Sequence, residues 1–114
     1  MNILFKGSDF YVKIQGDSNG NFFYTNSKNL VFVRKWDELS FEVGQFPLRR
    51  DNSDYFSHPI VYIIKRNDRV VGYITRGIKN EINDPILLPR DIRGRVFRVF
   101  EDGSIEKDTR YTFK

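Results

Sequence analysis

Residues 69–100, RVVGYITRGIKNEINDPILLPRDIRGRVFRVF, decide the reading of this chain. An apolar, strand-like piece ends at Arg76-Gly77, and a polar loop rich in Asn and Asp follows it. After a Leu87-Leu88-Pro89 turn, Gly94 opens a second strand whose side chains alternate apolar and basic. β-branched and aromatic residues repeating at period two suit a pleated, half-buried surface. Working outward, the same alternation predicts strands over residues 10–15, 30–34, 60–65, 69–75 and 95–100, with Ile105 in a possible last strand. Arg66-Asn67-Asp68 between two of these runs is a hairpin signal, because Asn and Asp tolerate the left-handed backbone that such turns use. Asp102-Gly103 predicts a second hairpin that returns Val99 and Phe100 onto Ile105. No stretch holds a helical period, and a short turn near Trp36 is the best candidate. The expectation is an all-β fold, a single coiled antiparallel β domain over residues 1–114.

Composition bounds what such a domain does. Eleven Phe, six Tyr and one Trp make 16% of the chain aromatic, which favours sheets over helices. A chain of 114 residues is long enough for one core without staples. The absence of cysteine excludes disulfides and thiolate metal ligands, and a single histidine argues against zinc, so neither metal nor cofactor is expected. A reducing compartment such as the cytoplasm fits that composition. No apolar run approaches the about 20 residues that span a bilayer, and MNILFKGSDF is too short in apolar residues for a signal peptide. A formal charge of +4 is mildly basic and does not by itself point to nucleic acid.

The order of features in residues 69–100 resembles the C-terminal half of signal peptidase I and LexA-like serine peptidases. In that family a strand ending in Lys/Arg-Gly leads into an Asp/Asn-rich loop carrying an active-site carboxylate, followed by a Pro-containing turn and a Gly-Arg/Lys-Val-Val strand. Gly77, Asn80, Asp84, Pro89 and Gly94-Arg95-Val96 match that order. The resemblance extends upstream. Residues 10–18, FYVKIQGDS, are similar to the alternating strand whose terminal Ser is the nucleophile, placing Ser18 on that serine. LVFVRKWD, residues 30–37, resembles the second strand, and IVYII, residues 60–64, lies where the family carries its His or Lys base.

Transferred residue by residue, the resemblance implies a site of Ser18, Tyr62 and Asp84, with Tyr62 at the position of the base. Here the chain departs from the family. A phenol with a reference pKa of about 10 is a poor base at neutral pH, and a serine hydroxyl is weak until a neighbour removes its proton. Asn19 and Asn21 also replace the family's Met and Pro after the serine, and Ile78 replaces its first loop Asp. His58, the one histidine, precedes Tyr62 by four residues, about 13 Å along a strand, with Pro59 interrupting the ladder between them. The expectation for His58 is an exposed turn residue.

Two functions follow. The resemblance implies a peptidase-like domain, impaired by the missing base, that binds an extended peptide or protein by adding it as a strand. The alternative is a small β-barrel adaptor that binds a protein partner or nucleic acid through an aromatic and basic face. Arg34, Lys35, Arg49, Arg50, Arg90, Arg93, Arg95 and Arg98 are its cations, with a solvated sheet face as their ordinary explanation. Val12, Ile14, Val31, Val33, Ile74 and Val96 are expected in the core as the apolar members of their alternating pairs.

Overall fold

The computed structural model describes residues 9–23, 30–35 and 40–113. Its elements are β1 (Phe10–Lys13), β2 (Leu30–Lys35), β3 (Phe46–Asp51), β4 (Asp54–Phe56), β5 (Ile60–Arg66), β6 (Arg69–Thr75), a 3₁₀ turn (Pro89–Asp91) and β7 (Gly94–Phe97). The fold is all-β. No helix among the described residues is long and apolar enough to cross a membrane. The turn expected near Trp36 and the aromatic Tyr24 lie outside the described residues.

Five strands form an antiparallel sheet in the order β1-β2-β7-β3-β4. A parallel bridge between Ile14 and Tyr55, with the Gln15 amide donating to the Tyr55 carbonyl at 2.8 Å, curls the sheet until its two edges meet. β5 and β6 form a separate hairpin. Its turn residues Asn67 and Asp68 stand at φ 53° and 64°, the left-handed conformations expected of them. The second expected hairpin also forms, through the Val99–Ile105 bridge and the Gly103 amide on the Phe100 carbonyl.

Alternation places the core. Val33, Val96 and Phe46 lie side by side across β2, β7 and β3, all fully buried. Phe22 stacks on Phe46 with ring centroids 5.1 Å apart, and Phe23 meets it edge-on at 4.7 Å. Ile14, Val31 and Leu48 complete this cluster, with Val12 packed at its margin. A second cluster under the β5–β6 hairpin gathers Phe41, Ile60, Tyr73, Leu87 and Ile92.

Ile74 departs from expectation. Tyr73 and Thr75 on either side of it are buried, at 2% and 6% exposure, whereas Ile74 is only half-buried. Leu87 bridges Tyr73 at the edge of β6, and both side chains pack in the second cluster, so Ile74, next along the strand, falls on the opposite face. Burial pushes the Tyr73 phenol up, against the backbone bond from Phe41 and the nearby Arg95 charge, which lower it.

The basic residues also differ from a purely solvated face. Arg95 is half-buried over the Phe41 ring at 4.7 Å, and Arg98 lies 4.6 Å over Phe22 while pairing with Glu106 at 2.7 Å. Their flat guanidinium groups cover the margins of the two aromatic clusters.

The segment leading into β3 is bonded to the start of the hairpin. The Gly44 amide donates to the Ile60 carbonyl at 2.8 Å, and the Ile60 amide donates to the Gln45 carbonyl at 2.9 Å. The start of β5 is thereby pinned, together with the His58-Pro59 segment that precedes it.

Candidate functional site

The Gly/Asp/Asn/Ser run after β1 makes tight turns, with Gly16 and Gly20 at φ 82° and 60°. The Gly20 amide donates to the Asp17 carbonyl and the Phe22 amide to the Asn19 carbonyl. Ser18 sits within this turn, and its carbonyl accepts the Lys79 amide at 2.7 Å. The approach of the two segments is close. A Cβ on Gly77 would stand 2.7 Å from the Ser18 Cβ and 2.6 Å from the Asn80 amide nitrogen, so only glycine fits at that step.

Asn19 ties the same turn to the other side of the site. It is buried, and its Nδ2 donates to the Ser57 carbonyl at 2.7 Å. Ser57 is itself fixed by its hydroxyl, which donates to the Pro47 carbonyl at 2.8 Å. Ser18 and His58 are therefore immediate chain neighbours of the two ends of one buried hydrogen bond.

His58 is not the exposed turn residue that its Ser-His-Pro context suggests. Its side chain is only 14% exposed, and Nδ1 lies 2.6 Å from Asp84 Oδ2. The Thr75 hydroxyl donates to the same Oδ2 at 2.8 Å, and the Asp84 amide donates to the Thr75 carbonyl at 2.8 Å. A carboxylate only accepts, so Nδ1 is the donor in this pair.

Register explains why Asp84 meets His58. Ile60 pairs with Thr75 and Tyr62 pairs with Ile74, with a register shift between them. The loop that leaves β6 folds back so that Asp84 is bonded to Thr75, at the Ile60 end of the hairpin. His58 is two residues before that end. Tyr62 lies on the tip side of it and is 63% exposed. Both hydrogen bonds to the Asp84 carboxylate come from His58 and Thr75, and Tyr62 takes no part in them. The structure thus pairs Asp84 with His58 and not with Tyr62, and links the Ser18 turn to the segment of His58 through the bond between Asn19 and Ser57.

Two clefts meet at Asp84-Pro85. The wider, of about 610 Å³, runs along Lys79 to Pro85. The other, of about 220 Å³, is walled by Arg49, Thr75, Asp84, Pro85, Ile86 and Leu87. Among the described residues no group of three or more His, Cys, Asp or Glu side chains could hold a metal ion.

Thr75 is expected to hold the carboxylate for the histidine. In proton NMR the Nδ1 proton of His58 should appear as an isolated low-field resonance. Thr75→Val should broaden it by hastening exchange with water, Asp84→Asn should remove it, and Thr75→Ser should keep it. An unchanged resonance in Thr75→Val would show that Asp84 needs no third partner.

Comparison with protein-family models, with curated proteins and with solved structures finds no match to this chain.

Proposed function

We propose that this chain is a serine-peptidase-like module for extended peptides, with Ser18 as nucleophile and His58, held by Asp84, as its base. The observation that carries this reading is the 2.6 Å contact of His58 Nδ1 with Asp84, one residue from the bond between Asn19 and Ser57 that fixes the Ser18 turn. A carboxylate on Nδ1 sets the tautomer and turns Nε2 outward, the arrangement in which an imidazole takes a serine proton. The resemblance to signal peptidase and LexA-like enzymes supports the same roles for Ser18 and Asp84. It had suggested an impaired site because Tyr62 aligned with the base; with His58 in that role the reason for impairment is gone.

An extended substrate is favoured by the sheet edges beside the site. Beyond Ile60, β5 pairs with β6 alone among the described strands, so its outer edge is open to a further strand. The clefts on either side of Asp84 give side chains of such a strand somewhere to go.

The test is a small fluorophosphonate followed by mass mapping. The Ser18 oxygen forms the bond to phosphorus, fluoride leaves, and His58 takes the hydroxyl proton. One adduct on Ser18 is expected. A folded protein that stays unlabelled at pH 7 to 8, or is labelled elsewhere, would overturn the assignment.

A further inference from the structure

Arg49 enters the smaller cleft from β3 with its charge uncommitted. Its guanidinium lies 4.8 Å from the centre of the Phe56 ring, its cross-strand neighbour. It forms no ion pair among the described residues, in contrast to Arg34, Arg98 and Arg110, each of which has a carboxylate. A guanidinium stacked on an aromatic face keeps its N–H donors free in its own plane. Asp84 also lines the cleft, its Oδ2 taken by His58 and Thr75, so Arg49 is the charged group there whose donors are uncommitted, facing an apolar wall of Pro85, Ile86 and Leu87. At about 30 Å³ per water, 220 Å³ corresponds to about seven waters, room enough for one Asp or Glu side chain.

We propose that this cleft is a specificity subsite for an acidic side chain of the bound peptide, with Arg49 as the counter-ion. The inference rests on the reading of Ser18, His58 and Asp84 as a peptide-processing site. Because Asp84 and Thr75 belong both to the cleft and to the base, the acidic residue lies within about three positions of the scissile bond at about 3.3 Å per residue. The guanidinium receives the carboxylate through paired N–H donors, and the stem of the side chain lies against Pro85 and Ile86.

The test compares peptides that differ at one position, carrying Glu, Gln or Lys, at each of the three residues on either side of a central small residue. Equilibrium binding to the intact chain is measured by fluorescence anisotropy. At one position the wild type should bind the Glu peptide about tenfold tighter than the Gln peptide and bind Lys most weakly, the scale of one half-buried charged hydrogen bond. Arg49→Glu should invert the order so that Lys binds best, and Arg49→Gln should level it. No preference at any position, or a Glu preference that survives Arg49→Gln, overturns the subsite. Binding does not require Ser18 to react, so the two readings fail separately. Labelling of Ser18 without charge ranking removes the subsite alone, and ranking through Arg49 without labelling removes the peptidase alone.

Discussion

Asp84→Asn is expected to slow phosphonylation of Ser18 by about 10³- to 10⁴-fold while leaving the fold intact. Asparagine keeps the size of the side chain, so the change is one of polarity. Its amide offers His58 Nδ1 either an N–H donor or a weaker neutral acceptor. In the first case the imidazole turns over to the other tautomer, Nε2 carries the proton, and it has no lone pair with which to accept one from Ser18. In the second case the imidazolium that forms as Ser18 attacks loses its counter-charge. Both routes lower the rate without changing how the serine turn is held, because Asn19 and Lys79 anchor that turn independently of Asp84. Rates within tenfold of the wild type would mean that the 2.6 Å contact between His58 and Asp84 is a structural tie between the β5 entry and the loop after β6.

Phe46→Ala is expected to be the most damaging core substitution, at about 3 to 5 kcal/mol. Phe46 is fully buried, is paired with Val96, and touches Phe22 and Phe23 at once. The cavity would open where β3, β7 and the segment after the serine turn converge, taking from Phe22 and Phe23 the ring they share. A domain of ordinary stability has about 5 to 15 kcal/mol in all, so the urea midpoint should fall by about 1 to 3 M. Ile74→Ala, on the half-buried face of β6 and outside both clusters, should cost about 1 kcal/mol or less. Equal losses for the two variants would contradict the assignment of faces.

The strands that could be read from the sequence are those dense in β-branched and aromatic residues. β1, β2, β5, β6 and β7 all form, although β1 ends at Lys13 and β7 at Phe97, short of the expected bounds. β3 and β4 escaped notice for a physical reason. Pro47 lies inside β3 and argues against a strand, and Arg49, Arg50 and Asp51 leave it only a short apolar part. β4 is three residues long, too short for any pattern.

The proposed site was legible in part. Ser18 in its Gly- and Asn-rich turn and Asp84 in its loop were singled out from residue order. His58 was read as an exposed turn residue, because Pro59 hides where the strand begins. Counting four residues back from Tyr62 along a straight strand sent the histidine away from the carboxylate, whereas β5 starts at Ile60 and the loop after β6 returns to Thr75. The signal that could have found it is chemical. The single histidine of the chain lies beside a strand where the resembling family carries its base, and Tyr62 cannot do that work at neutral pH.

The most direct measurement is the rate of fluorophosphonate reaction at Ser18 in His58→Ala set beside Tyr62→Phe, each checked for its fold by near-UV circular dichroism. The geometry predicts a fall of about 10²- to 10⁴-fold for His58→Ala and a change of no more than about twofold for Tyr62→Phe, whose ring stands exposed on β5. A rate that survives His58→Ala and collapses in Tyr62→Phe would contradict it.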